Sequence, residues 1–150
     1  ILEYGNEIGS HSYSHKSLTS CKDDVLKDEI QKVNSIYTDI TSKEITLLRP
    51  PYGNINDKLK KELDYAFVLW SVDPEDWKYK DVQKVSENVL NEVEDGDIIL
   101  LHDIHFTTSE ALKIILPELY IRGYQVVTVS KLAELKGNTI EKHQIYRNFK

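Results

Sequence analysis

A single cysteine, Cys21, rules out any disulfide within these 150 residues and leaves the redox compartment open. No apolar run approaches the roughly 20 residues that a membrane-crossing helix needs, and the first residues show no basic segment followed by a signal-like apolar stretch. If the protein is exported, its signal or anchor lies outside this stretch or has been removed. The abrupt start without Met fits a processed product or a piece of a longer polypeptide. Basic excess is lacking too: 19 Lys and Arg stand against 25 Asp and Glu. The resulting net charge of −6 gives no support to phosphate-backbone binding by the surface as a whole. There is no glycine-rich phosphate loop, no dinucleotide fingerprint after a strand and no serine elbow of the hydrolase type. Cys21 beside Lys22 makes a thiolate conceivable, but no base or substrate is indicated.

What is present is a repeated strand-loop-helix pattern of a size that fits one globular domain. Glu7-Ile8-Gly9 reads as a short strand. Ser20 to Asp23 has the form of a capping box, and Leu26, Ile30, Val33 and Tyr37 follow at helical spacing. Ile45 to Leu48 and Ala66 to Trp70 read as buried strands, with Asn56 capping a helix between them that carries Leu59 and Leu63. Asp81 opens an amphipathic helix, Ile98 to Leu101 a further strand, and Ser109 to Ile121 a helix that contains Pro117. Tyr124 to Thr128 is the last expected strand, followed by a short helix capped by Ser130. Residues 1–136 thus form the main body, and 137–150, of weak periodicity, an appendage or tail.

Unusual polar residues fall at four successive strand exits: His11 with His15, Arg49, Asp73 and His102. In a β/α barrel such exits share one end, where loop-borne catalytic groups meet. An open doubly wound sheet would gather fewer of them. About five strands can be counted, so the fold is either an incomplete barrel or a smaller open sheet. Neutral imidazoles suit zinc, and His11 and His15 converge on one ion if their loop folds back; otherwise they are polar loop residues bonded within the fold. His102 has the placement of a general acid with Asp73 as its orienting carboxylate, or the two form a structural pair. Arg49 can orient a catalytic carboxylate through its planar fork or fix a loop through backbone carbonyls. The rigid Pro50-Pro51-Tyr52-Gly53 turn can form a sugar-facing wall, and Trp77 a second aromatic surface or a packing residue for its loop.

Set together, these stretches resemble the polysaccharide deacetylases of the NodB-homology class, carbohydrate esterase family four. The resemblance runs from Glu7 to about Leu135 and rests on four stretches in order: His11-Ser12-Tyr13-Ser14-His15, Arg49-Pro50-Pro51-Tyr52-Gly53, Trp70 to Trp77, and Leu101-His102. It implies an α/β fold, a distorted (β/α) barrel that is N-terminally incomplete here. His11 and His15 are then ligands of a divalent metal, zinc in the first place. Arg49 stands beside the catalytic base, and the backbone at Tyr52 helps to stabilise the oxyanion. Pro51 and Trp77 shape the groove, Leu101 lines the acetyl pocket, Asp73 tunes the acid histidine, and His102 is the general acid.

The implied activity is metal-dependent removal of N-acetyl groups from an N-acetylglucosamine-containing polysaccharide, peptidoglycan or chitin-like, outside the cell or in its envelope. A noncatalytic carbohydrate-binding module and an O-acetyl esterase of the xylan type are the alternatives. Two departures stand out. Lys16 occupies a position where proline is frequent, and no Thr-Phe-Asp-Asp-like segment ends a strand; Asp23-Asp24 falls at a helix start. The family's base and third metal ligand come from that segment, so the resemblance implies an N-terminal companion segment and little turnover by residues 1–150 alone.

Overall fold

A computed structural model describes residues 1–150. The chain divides into two compact units, Ile1–Leu69 with Thr139–Tyr146, and Trp70–Asn138 with Arg147–Lys150.

In the first unit a 3-10 turn, Leu2–Tyr4, closes on Gly5 in the left-handed conformation (φ 77°). Helix α1, Asp23–Thr41, buries Leu26, Glu29 and Ile30 along one stripe. The expected capping box does not form. Ser20 is held in the preceding 3-10 turn, Lys22 stands at the N-cap without a side-chain bond, and Asp23 and Asp24 instead complement the helix dipole from its first turn. Strand β1 is Leu47–Leu48. Helix α2, Asp57–Glu62, is capped as its sequence suggests, the Asn56 side chain accepting from the Leu59 amide at 2.9 Å. Strand β2, Ala66–Val68, follows.

The first unit's third strand comes from the segment expected to be an appendage. Strand β3, Ile145–Tyr146, pairs in parallel with β2, so the sheet order is β1-β2-β3. Its two residues are too few to leave a periodic signature in the sequence. Phe67 and Leu48, both fully buried, anchor a core shared with Leu18, Leu26 and Leu59. Burying one such side chain contributes about 1.5–3 kcal/mol. The expected strand at Glu7-Gly9 contracts to one parallel bridge, Ser10 to Leu48. This is an α/β fold whose parallel sheet is open rather than closed into a barrel.

The second unit contains helices α3 (Asp76–Tyr79), α4 (Val82–Glu92), α5 (Phe106–Ile121) and α6 (Val129–Leu135). Val85 and Val89 of α4 pack with Ala111, Ile115 and Leu119 of α5, and α5 runs through Pro117 without ending there. Asp81 caps α4 through the Lys84 amide at 2.8 Å. For α6 the cap is Thr128, not Ser130, its side chain accepting from Lys131. The Ile98–Leu101 run forms only a bridge between Ile99 and Val72, with Leu100 N donating to Val72 O at 2.9 Å. Residues 124–128 form no strand, and Val126 is exposed. An apolar run becomes a ladder only where a neighbour supplies matching backbone groups. The chain's end is built in here as well: Phe149 is buried, and its amide donates to Gly96 O at 2.8 Å.

Candidate active site

The parallel bridge between Ser10 and Leu48 decides the geometry of the first cluster. Ser10 N donates to Leu47 O at 2.8 Å and Arg49 N to Ser10 O at 2.9 Å, so His11 and Arg49 leave the sheet side by side. His11 Nδ1 then lies 2.6 Å from Arg49 O. A carbonyl can only accept, so Nδ1 carries the proton and the neutral ring keeps its lone pair on Nε2, the arrangement seen in metal-binding histidines. The His15 ring stands 4.9 Å from that of His11, centroid to centroid, at 70°. It also meets the Tyr52 ring, at 4.8 Å and 74°.

Tyr52 is held in the left-handed region (φ 63°) within the turn Pro51–Gly53, where Gly53 N closes on Pro50 O at 3.0 Å. Its ring is exposed while Pro51 is buried, so the aromatic face of this turn is presented to solvent. Arg49 Nε donates to Val68 O at 3.2 Å and an Nη to Leu69 O at 3.1 Å. Both bonds go to backbone carbonyls, as the loop-fixing role requires, and burial lowers the guanidinium's pKa.

The loop between the histidines is held from outside by Glu29 of α1, a side chain with no place among the sequence-based candidates. Glu29 is 2% exposed. It accepts from the Tyr13 amide at 3.1 Å, the Ser14 amide at 2.7 Å and the Ser14 hydroxyl at 2.5 Å, and Lys16 Nζ lies 3.1 Å away. Burial opposes ionisation, but the Ser14 hydroxyl and amide and the Lys16 ammonium outweigh it and hold the carboxyl at about 2. A lowered carboxyl pKa contributes stability that is complete above the unfolded value and lost as pH falls through the folded one. Stability is therefore expected to decline between pH 4.5 and about 2, and Glu29→Gln to show a shallower decline over that window in urea unfolding. Parallel curves for the two proteins would contradict this.

The residues fit a divalent cation in part. Two imidazoles are grouped, and the buried hydroxyls of Ser10 and Ser12, which flank His11, have no hydrogen-bond partner. No group of three or more His, Cys, Asp or Glu side chains is assembled anywhere in the chain.

The second cluster lies in the other unit and centres on Asp76, the first residue of α3 and 0% exposed. One carboxylate oxygen accepts from His102 Nδ1 at 2.7 Å and Trp77 N at 3.0 Å. The other accepts from His102 N and Thr108 Oγ1, each at 2.7 Å. Burial raises the acid's pKa, but the bonds from His102 and Thr108 outweigh it, and Asp76 titrates below its ordinary value. A carboxylate acceptor fixes the proton on His102 Nδ1 and leaves Nε2 for exchange, on a side chain 32% exposed.

The carboxylate expected to orient His102 was Asp73; the structure puts Asp76 there. Asp73 spends its carboxylate locally on the Glu75 amide at 3.0 Å, and Glu75 in the left-handed conformation (φ 53°) turns the chain so that Asp76 faces inward. The signal in the sequence was Asp76 itself, an acid directly before Trp77. Trp77 is exposed, as a ligand-facing ring would be, and Leu101 packs against the α4 and α5 core.

The family model for polysaccharide deacetylases matches residues 1–68. Over 136 residues the chain is 42% identical to the peptidoglycan-N-acetylmuramic acid deacetylase PdaC of Bacillus subtilis, covering 91% of this chain and 29% of that protein. It is 40% identical over 131 residues to the peptidoglycan-N-acetylglucosamine deacetylase PgdA of Listeria monocytogenes, covering 87% and 28%. The chain thus spans under a third of either curated relative. The solved PdaC structure superposes with a TM-score of 0.88, covering 91% of this chain and 67% of that one. A family 4 acetyl xylan esterase from Clostridium thermocellum, solved with a cobalt ion, gives 0.89 at 32% identity, covering 98% and 74%.

Proposed function

This chain belongs to the polysaccharide deacetylase family, a family of enzymes, and from that premise we propose that its parent protein removes N-acetyl groups from an N-acetylglucosamine-containing polysaccharide and releases acetate. The single observation that carries the reading is the Asp76–His102 contact at 2.7 Å, which leaves an oriented imidazole with Nε2 available. Peptidoglycan is the favoured substrate, given what the two curated relatives are named for, with chitin-like polymers next. Peptidoglycan lies beyond the cytoplasmic membrane, so the site of action is the cell envelope or the extracellular space. No helix of the chain is long and apolar enough to cross a membrane.

His11 Nε2 and the His15 ring would hold the divalent cation, zinc in the first place or another ion such as the cobalt of the xylan esterase structure. Bound there, the cation would lower the pKa of a water molecule and polarise the acetamide carbonyl. The chain's own groups do the rest. The backbone amide at Tyr52 donates to the oxygen on which charge develops. His102 acts as the imidazolium, its Nδ1 proton held by Asp76, and passes the Nε2 proton to the leaving nitrogen as the carbon–nitrogen bond breaks, ending as the neutral ring. Leu101 receives the acetyl methyl; Pro51 and Tyr52 offer a sugar-facing surface in the first unit, and the Trp77 ring offers one in the second. The carboxylate that takes the water's proton, and the remaining metal ligand, belong in this reading to a polypeptide segment outside residues 1–150.

Acetate release tests the proposal: the full-length protein, loaded with zinc, is offered N-acetylated peptidoglycan and chitin oligomers beside O-acetylated xylan. Faster release from the N-acetylated polymers is the expected result. Release from xylan alone would move the chemistry to ester hydrolysis, and saturable oligosaccharide binding without acetate would make the protein a noncatalytic binding module.

A further inference from the structure

We propose that Glu29 is the positioning residue of the metal loop: its buried carboxylate fixes residues 13–16, so that the His11 and His15 rings are placed for a divalent cation before one arrives. The inference rests on the reading that these histidines hold the metal. Every hydrogen bond and ion pair assigned to Glu29 goes to that loop, to the amides of Tyr13 and Ser14, the Ser14 hydroxyl and the Lys16 ammonium. Beyond them Glu29 acts at longer range on Lys32, one turn along its own helix.

The loop needs such a partner. Residues 11–16 contain no helix or strand, so the Tyr13 and Ser14 amides have no ladder to join. Ser12 and His15 both sit in the left-handed region, at φ 63° and 58°, although neither is glycine. Backbone held in such conformations persists only where its surroundings over-determine it. Glu29 supplies that constraint from a rigid helix, one turn beyond Leu26, on the stripe that faces the core. If packing alone were required at this position, an apolar side chain of similar volume would serve without desolvating a charge. Fixing the loop in advance removes the ordering cost that cation binding would otherwise carry, so the effect of Glu29 should appear in metal affinity.

Cobalt(II) titrations followed by visible absorption, with zinc affinities from chelator competition, test this on the full-length protein. Glu29→Gln keeps the volume and one acceptor but turns an amide nitrogen toward a group of donors. It is expected to weaken cobalt binding about 10-fold, and Glu29→Ala about 10- to 100-fold, the range found for partners that orient metal ligands. Leu26→Ala, in the apolar core of the same helix, controls for stability. It should lower Tm at least as far as Glu29→Gln and leave cobalt affinity and band shape within twofold of wild type. Equal affinity in folded Glu29→Gln and wild type, or equal loss in Leu26→Ala, overturns the proposal. His11→Ala separates the two levels: if it binds cobalt as wild type does, or if wild type binds none, the ligand assignment fails and takes this inference with it. Weak binding in His11→Ala with normal binding in Glu29→Gln rejects only the role of Glu29.

Discussion

Asp76→Asn is expected to lower kcat for deacetylation by about 10²- to 10⁴-fold, the range associated with loss of a positioned acid, whereas Asp73→Asn costs less than about 10-fold. The asymmetry follows from what each carboxylate accepts. Asp76 takes four hydrogen bonds, from His102 Nδ1, Trp77 N, His102 N and Thr108 Oγ1. An asparagine has one acceptor oxygen, and its amide nitrogen must point at donors whichever way it is turned. The cheapest relief is for His102 to turn a lone pair on Nδ1 toward the amide, which removes the anionic partner that stabilises the imidazolium, the form with a proton on both nitrogens that can deliver one from Nε2. Asp73 holds one local bond to Glu75 N, and an asparagine oxygen reproduces it. Thermal unfolding should register the first substitution as well, since Asp76 is fully buried. Comparable kcat losses in both variants, or none in Asp76→Asn, would remove Asp76 from the orienting role.

The same pair shows how far the site was legible. Strand exits are marked by where an apolar run stops, so His11, Arg49 and His102 are legible in the sequence alone. Which acid reaches His102 depends on one left-handed residue, Glu75, and no periodicity encodes that turn. Glu29 did carry a signal: it lies three residues after Leu26 and one before Ile30, a charge inside an apolar helical stripe. A charge on the core side of a helix is costly unless paired, so such a residue calls for partners in the nearest polar loop.

Helices α1 and α4 followed their stripes closely because burial along a whole face is a cooperative signal over many residues, whereas the four-residue α3, where a loop is expected, is too short to carry one. The strands did not, since β1, β2 and β3 have two or three residues each and pairing is decided by partners far along the chain. Tyr124 to Thr128 had the composition of a strand and found no partner, whereas Ile145–Tyr146, in a segment without periodicity, found β2.

Substitutions at the two histidine positions should separate metal binding from proton delivery. His11→Ala is expected to weaken zinc and cobalt binding by at least about 100-fold, beyond the usual effect of an outer partner. It removes the only lone pair whose direction the fold sets through Arg49 O. His102 has no such task, but truncating it to alanine would leave Asp76 buried beside an empty volume and confuse stability with chemistry. His102→Asn avoids that, because its side-chain amide can stand in for the Nδ1 donor to Asp76 while lacking any group at Nε2. Metal affinity in His102→Asn should stay within about threefold of wild type while kcat falls about 10²- to 10⁴-fold. The loss should show in kcat rather than KM, since a proton delivered only as the bond breaks contributes to the transition state and not to the bound substrate. A folded His102→Asn protein that had lost its metal would make His102 a ligand instead of an acid. Undiminished affinity in His11→Ala would free that histidine from the role its hydrogen bond to Arg49 prepares it for.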